Sequence, residues 1–162
     1  MNYWLMKSEP DECSIDDALA APNASVPWTG VRGYQARNLM RDQMQIGDGV
    51  FFYHSSCEEP GIAGLAEVAS APYADPTQFD RKSKYFDATA TTDAPRWMLV
   101  DIKALMKTPL VGLAELREHP ALAEMVVLRR ANRLSITPVT ADQWRYVTTR
   151  LINSRTQSVC RS

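Results

Sequence analysis

The sequence predicts an α+β protein in which a small sheet of mixed strands curls into an open barrel, with short helices on its flanks. An uninterrupted apolar run at residues 50–53, Val-Phe-Phe-Tyr, is typical of a strand that is covered on both faces. Segments with helical spacing are few and short, and no G-x-G-x-x-G follows a strand. These two features argue against a doubly wound Rossmann sheet.

Capping residues mark where two of the predicted helices begin. Ser14 and Asp17 match a capping box, and Thr140 and Gln143 repeat the pattern near the C-terminus. The predicted elements, in chain order, are strand 3–7, helix 15–20, helix 36–44, strand 50–53, strand 62–71, strand 96–104, helix 113–117, a helical stretch within 122–128, strand 134–139 and a terminal helix through residue 151.

Four segments carry further expectations. Residues 62–71 are mostly small, so another element is expected to approach them closely. Residues 72–95 are long and irregular, and such loops tend to be functional or mobile. Residues 96–104 alternate, with one face predicted to hold Met98, Val100, Ile102 and Ala104 and the other Trp97, Leu99, Asp101 and Lys103. Residues 109–112 are expected to leave this strand and lead into helix 113–117.

Composition and charge bound the class of protein. A chain of 162 residues with 45% hydrophobic and 23% charged residues fits one domain, predicted here as residues 1–151 with a polar, disordered tail at 152–162. No apolar run reaches the ~20 residues that cross a bilayer, and no signal peptide precedes the first strand, so a cytosolic protein with no membrane contact is expected. A net charge of −1 excludes a protein that coats nucleic acid electrostatically. Any contact with nucleic acid must therefore be local.

The residue types for metal binding and catalysis are present in weak patterns only. Cys13, Cys57 and Cys160 are scattered, and the H-x-x-C spacing of His54 and Cys57 lacks a second pair of ligands, so no disulfide, metal or cofactor is predicted. Ser55, His54 and Asp48 lie on or beside one strand, where neighbouring side chains point to opposite faces. This placement disfavours a catalytic triad, and no G-x-S-x-G or phosphate-binding loop is present.

Two of the four tryptophans are candidates for a ligand site. Trp4 and Trp144 fall at core positions of a strand and a helix. Trp28 instead arrives on a loop between Gly and Pro residues, and Trp97 lies on the mixed face of its strand, so each could face a ligand or pack in the core. A nucleobase stacked on an aromatic ring gains ~1–3 kcal/mol, which offsets the cost of extruding it from a nucleic acid.

Basic residues near these aromatics offer phosphate contacts. Arg32, Arg37 and Arg41 lie on the loop and on the outer face of the predicted helix, and Lys7 and Arg133 could join them if the fold brings them near. On an exposed helix face, the alternative is that such residues serve solubility alone.

Several motifs in this order resemble the EVE domain family, and the similarity runs from residue 1 to about residue 151. The motifs are Leu-Met-Lys-Ser-Glu-Pro at 5–10, Trp-Thr-Gly-Val-Arg-Gly-Tyr-Gln-Ala-Arg-Asn at 28–38, Phe-Phe-Tyr-His-Ser at 51–55, Gly-Ile-Ala-Gly-Leu-Ala-Glu-Val at 61–68, Asp-Pro-Thr-Gln-Phe-Asp at 75–80 and Arg-Leu-Ser-Ile-Thr-Pro-Val at 133–139. Gly33 and Ser56 stand where Asn is frequent in the family.

The resemblance implies a PUA-like open β-barrel, related to YTH and ASCH domains, with a pocket for a modified base such as 5-methylcytosine or 5-hydroxymethylcytosine in DNA, or a base in RNA. By motif position, the implied pocket residues are Lys7, Ser8, Trp28, Tyr34, Gln35, Ser55 and Trp97.

Two functional hypotheses follow. In the first, the protein is a non-catalytic reader: a modified pyrimidine stacks on Trp28, and Arg32 and Arg133 bind the flanking phosphates of DNA or RNA. In the second, it is an enzyme of RNA or nucleotide metabolism, for which Lys7, Asp48 and His54 are the candidate titratable groups. Oligomeric state is open in both.

Overall fold

The computed structural model describes residues 1–130 and 132–155. Its strands and helices, in chain order, are β1 (Tyr3–Ser8), α1 (Ile15–Ala20), β2 (Ser25–Pro27), α2 (Tyr34–Asp42), β3 (Gly49–His54), β4 (Gly61–Val68), β5 (Tyr73–Ala74), β6 (Met98–Leu99), β7 (Asp101–Gly112), α3 (Leu113–Arg117), β8 (Ile136–Val139) and α4 (Ala141–Tyr146). A π-helical turn, Val147–Ile152, continues α4.

Six strands form one mixed sheet in the order β2-β7-β4-β3-β1-β8. The pair β1 and β3 is parallel, and every other neighbouring pair in the sheet is antiparallel. β5 and β6 pair separately. Because β2 and β8 are free edges, the sheet curls without closing, which confirms the predicted α+β open barrel of mixed strands.

The central strands are buried on both faces, as the apolar run at 50–53 predicts. Phe52 packs with Trp4 and Met6 in one apolar cluster, while Phe51 packs with Leu5 in a second cluster on the other face. Side chains alternate between the faces of a strand, so this one run feeds both cores.

Gly64 explains how α1 lies so close to the sheet. A Cβ atom at this position would be 2.5 Å from Cδ1 of Ile15 and 2.8 Å from the backbone oxygen of Met106. Only a glycine leaves that space, which confirms the close approach expected from the small residues of this segment.

Both predicted capping boxes form. The backbone N–H of Asp17 donates to Oγ of Ser14 at 3.1 Å, and the N–H of Ser14 donates to the Asp17 carboxylate at 3.0 Å. Thr140 and Gln143 make the same reciprocal pair at 3.1 and 3.0 Å. These local contacts begin α1 and α4 where the sequence predicts.

The segment from residue 96 to residue 112 differs from its prediction. It forms two strands, and β7 continues through Pro109 to Gly112 instead of leaving the sheet. Pro109 is tolerated because β2 pairs only with residues 101–103, and because the β4–β7 register shifts between the pairs at Ile62 and Gly64. Trp97 and Leu99, on the face predicted to be mixed, are both buried, and Leu99 pairs with Tyr73 of β5.

Other boundaries move by a few residues. β4 ends at Val68, β8 begins at Ile136, and the stretch 122–128 contributes short 3-10 turns instead of a helix. Helical backbone extends to Arg155, and Ile152 is buried in the second cluster. Residues 156–162, which include Cys160 and most of the predicted tail, lie outside the described residues, so the domain boundary at 151 stays a prediction.

Within the described ranges, Cys13 and Cys57 are free thiols, and no group of three or more metal-ligating side chains forms. The helices of this part of the chain are all too short or too polar to span a membrane. Location in the cytosol stays a prediction.

Candidate nucleic-acid interface

A cavity of about 580 Å³ opens where β1 ends. Its lining comes from four segments, within residues 7–13, 26–36, 55–56 and 133–135, and from Tyr85. Its volume lies in the range of small-molecule pockets, which run from roughly 300 to 1,000 Å³.

Backbone hydrogen bonds at the end of β1 hold three of these walls together. The N–H of Lys7 donates to the oxygen of Ser135 at 2.8 Å, and the N–H of Ser55 donates to the oxygen of Ser8 at 3.0 Å. The Ser8 hydroxyl donates to the backbone oxygen of Cys13 at 2.6 Å. The site is therefore built on the ends of sheet strands, which hold side chains more firmly than loops do.

Trp28 forms the apolar wall of the cavity. It is 7% exposed and meets Phe52 edge to face, with ring centroids 5.3 Å apart. Its backbone N–H donates to the oxygen of Val100 at 3.0 Å. The indole N–H of Trp28 makes no hydrogen bond within the described residues. It is not fully buried, because Thr108 Oγ1 is the one fully buried side-chain polar atom without a partner there. The residue both packs in the core and faces the cavity.

The loop that carries Trp28 is clamped by Asp75. Gly30 has φ +85°, a conformation that favours glycine, and its N–H donates to Oδ2 of Asp75 at 2.8 Å. A Cβ on Gly30 would be 2.6 Å from Cζ of Tyr85. A side chain at this position would therefore push the loop away from Tyr85.

Arg32 is the second half of the clamp. It has five N–H donors, and all five are used. Nη1 donates to the oxygen of Val31 at 2.9 Å and to Oδ2 of Asp75 at 3.1 Å. Nη2 donates to Oγ1 of Thr77 at 3.0 Å and to the oxygen of Tyr85 at 2.8 Å, and Nε also donates to that oxygen at 3.2 Å. No donor of Arg32 is left for a phosphate.

The charge of Asp75 is stabilised although the residue is fully buried. Burial by itself raises its pKa, but hydrogen bonds from Thr77, Gly30 and Arg32 outweigh this effect and leave the pKa below its usual value. The carboxylate is therefore the anchor of the loop.

Polar groups of the cavity wall remain available for a ligand. The side chains of Gln35, Ser55 and Arg133 line it and make no hydrogen bond or ion pair with the rest of the described chain. Lys7 also lines it, and burial lowers its pKa. Sequence reasoning placed all four residues and Ser8 at the site, and the structure brings them together.

Tyr34 and Trp97 lie outside the cavity. Trp97 is directed to the segment before β6, where its Nε1–H donates to Oδ2 of Asp87 at 2.8 Å. Tyr34 lies over it, with ring centroids 5.0 Å apart. Both were predicted pocket residues, and the structure assembles them in a neighbouring surface cluster instead.

Tyr85 lines the cavity and was missed by the sequence reasoning. Its hydroxyl donates to Oε2 of Glu12 at 2.8 Å. This hydrogen bond connects the segment 72–95 to the loop after β1. The available signal was the length of that segment together with its aromatic content.

Of the three residues considered for catalysis, Lys7 is the one that lines the cavity. Asp48 accepts hydrogen bonds from Nε1 of Trp4 at 3.0 Å and from the N–H groups of Asn2 and Gln45, which is a structural role. His54 Nε2 accepts the N–H of Ile15 at 3.1 Å, and burial lowers the histidine's pKa.

The fold and the site thus define a small ligand-binding domain: an open mixed barrel with an aromatic-walled, polar-rimmed cavity at the end of its first strand. Comparison with known proteins gives the family. The EVE domain model matches residues 2–150, and the chain belongs to the EVE domain family.

Known proteins and solved structures are similar to this chain over 89–91% of its length. Thymocyte nuclear protein 1 of Danio rerio is 43% identical over an alignment of 162 positions. The alignment covers 89% of this chain and 69% of that protein. A protein of Pseudomonas syringae is 46% identical with a TM-score of 0.86, covering 90% of this chain and 97% of that one. Human THYN1, solved in complex with DNA containing 5-methylcytosine, is 38% identical with a TM-score of 0.86, covering 91% and 95%.

Proposed function

We propose that this protein binds DNA by taking an extruded, modified cytosine into the cavity beside Trp28, and that it leaves the base chemically unchanged. The observation that carries the proposal is the cavity itself: an aromatic wall meets unpaired polar side chains in a space of about 580 Å³. The complex of human THYN1 with 5-methylcytosine DNA supports the choice of ligand.

Each wall of the cavity suits one part of a cytosine. The indole of Trp28 offers a flat surface for the ring and one N–H donor, while Gln35 and Ser55 offer both donors and acceptors for the base edge. Val26, Val31 and Ala36 provide apolar surface for a 5-methyl group. An apolar wall distinguishes one methyl group by ~1–3 kcal/mol.

The cavity rim decides which modification is preferred. Gly33 and Ser56, the two positions that depart from the family pattern, both line it. A glycine leaves room and a serine adds a hydroxyl, so 5-hydroxymethylcytosine is a second candidate ligand beside 5-methylcytosine.

A binding panel tests the proposal. We expect DNA with a single 5-methylcytosine to bind about 5- to 150-fold more tightly than the same DNA with cytosine, the range that ~1–3 kcal/mol for one methyl group provides. Fluorescence titrations would compare cytosine, 5-methylcytosine and 5-hydroxymethylcytosine in DNA and in RNA. Equal affinity for all of these probes would rule the proposal out.

The same samples distinguish a reader from an enzyme. After incubation with the protein, the mass of every bound oligonucleotide is expected to be unchanged. A reproducible mass change in the modified base would instead support the enzymatic hypothesis, with Lys7 as the first group to substitute.

Salt dependence identifies the phosphate contacts. Arg133 is exposed and unpaired, so Arg133→Gln is expected to lower the slope of log affinity against log salt by about 1. Arg32→Gln removes the same charge and is expected to leave this slope unchanged, because the five N–H donors of Arg32 are already used within the chain. The reverse pattern would show that Arg32 is the phosphate ligand.

A further inference from the structure

We infer that the surface cluster of Tyr34, Trp97, Arg37 and Arg96 binds the nucleotide next to the extruded cytosine on the same DNA strand. This inference rests on the proposed function and extends it from the base in the cavity to its neighbour. It also reassigns Tyr34 and Trp97, which the sequence placed inside the pocket.

Tyr34 lies in sequence between two residues of the cavity lining, and it is exposed. It is 53% exposed, more than any other aromatic side chain of the described residues. Its chain neighbours on both sides, Gly33 and Gln35, line the cavity. Consecutive Cα atoms are about 3.8 Å apart, so the Cα atom of Tyr34 lies about that distance from the Cα atoms of two residues that line the cavity.

Trp97 gives Tyr34 a firm support. The two ring planes are inclined by 32°, and Trp97 itself is 5% exposed. The buried Gln78 holds the backbone of Trp97 from both sides: its Oε1 accepts the Trp97 N–H at 2.9 Å, and its Nε2 donates to the Trp97 oxygen at 2.7 Å. A ring on a fixed support loses little entropy when a ligand stacks on it.

Two guanidinium groups surround the exposed ring. Cζ of Arg37 lies 4.7 Å from the ring centroid of Tyr34, and Nη1 of Arg37 donates to the backbone oxygen of Arg96 at 3.0 Å. Nη1 of Arg96 donates to the Tyr34 hydroxyl at 3.4 Å. The carboxylate of Asp87 lies 4.0 Å from Nε of Arg96. Two positive groups and one negative group leave an excess of positive charge, which suits a phosphate.

Base extrusion creates a use for such a surface. When a cytosine leaves the stack, one face of the neighbouring base loses its partner. An aromatic ring beside the cavity lining covers that face, and the flanking phosphate lies within reach of the arginines. Stacking of this kind is tolerant of sequence, because every base has a π-face. The cluster therefore adds affinity without adding a sequence requirement.

A double-mutant cycle tests the inference. Single-stranded DNA with one 5-methylcytosine would be titrated with intact neighbours and with abasic neighbours, using native protein, Tyr34→Ala and Tyr34→Phe. We expect Tyr34→Ala to bind the intact strand about 5- to 150-fold more weakly than native protein, and Tyr34→Phe to stay within about 3-fold of native. The strand with abasic neighbours is expected to bind native protein and Tyr34→Ala with equal affinity.

The control is Tyr73→Ala, which removes a tyrosine that is 40% exposed and hydrogen-bonded to Asp101 outside the cavity lining. It is expected to bind all strands as the native protein does. The single nucleotide 5-methyl-2′-deoxycytidine monophosphate is expected to bind native protein and Tyr34→Ala with equal affinity, because it has no neighbour.

Failure of the inference and failure of the proposed function give different results. If native protein prefers the methylated strand and Tyr34→Ala binds it equally well, the inference is overturned while the proposed function stands. The inference is also overturned if Tyr34→Ala weakens the mononucleotide as much as the strand, since Tyr34 then acts on the cavity. If native protein binds methylated and unmodified strands alike, the proposed function fails.

Discussion

Trp28→Leu is expected to lower affinity for 5-methylcytosine DNA by about 5- to 150-fold, because leucine keeps apolar volume but removes the flat surface on which a base stacks. Trp28→Phe keeps a ring and is expected to retain most of the affinity. Titration with methylated and unmodified strands measures both the loss of affinity and the loss of preference for the methyl group.

A stability control is needed, because Trp28 also packs against Phe52. Trp144→Leu provides it: Trp144 stacks on Tyr3 and Phe51 on the other face of the sheet, at centroid distances of 4.7 and 4.4 Å. Each substitution is expected to lower the free energy of unfolding by about 2–4 kcal/mol, while only Trp28→Leu weakens DNA binding. Equal binding losses in the two variants would attribute the effect to stability.

Asp75→Ala is expected to lower the free energy of unfolding by about 2–4 kcal/mol. The change leaves the N–H of Gly30, the N–H of Thr77 and the guanidinium of Arg32 without their shared acceptor. The Arg32 side chain is 23% exposed, so water can solvate the guanidinium after the substitution. The loss of stability is therefore expected to be smaller than for a wholly buried ion pair. Denaturant unfolding monitored by tryptophan fluorescence measures it.

Asp42→Ala is the matched control for this substitution. Asp42 pairs with Arg41 at 2.8 Å, but the side chains are 52% and 44% exposed, so its removal is expected to lower the free energy of unfolding much less than the removal of Asp75 does. If Asp75→Ala costs no more than Asp42→Ala, the clamp on the Trp28 loop does not contribute to folding.

The lowered pKa of Asp75 also predicts how stability responds to acid. A carboxylate whose pKa is lower in the folded than in the unfolded chain stabilises the fold above its unfolded pKa of about 4, and this contribution is lost as the pH falls through the folded pKa. Native protein should therefore lose more stability between neutral pH and pH ~3 than Asp75→Asn does. Parallel pH profiles for the two proteins would contradict the stated pKa direction.

Local sequence signals predicted the elements whose causes are local. The capping boxes at Ser14 and Thr140 place the starts of α1 and α4, because each is closed by residues three positions apart. The apolar run of β3 is buried on both faces because its side chains alternate across the sheet. Pro109 misled the prediction, since its effect on a strand depends on whether a neighbour needs its missing N–H.

Some residues of the candidate site could be predicted from the sequence, and others could not. The motifs that resemble the EVE domain family identified Trp28, Ser55 and Arg133, and the structure places them on one cavity, where their role in binding a base stays a prediction. The same motifs could not show that Arg32 is used up within the chain. They also could not show that Tyr34 and Trp97 lie outside the cavity lining.

The sequence by itself determined the mixed α+β class, the helix starts, the doubly buried β3 strand and the family, because these depend on patterns between near neighbours and on motif order. Only the tertiary structure decided which arginine is free and which aromatic ring faces the cavity. The reason is physical: Arg32 meets Asp75 and Tyr85 across 43 and 53 residues of chain, and contacts of that range depend on how the segments pack, which no local pattern records.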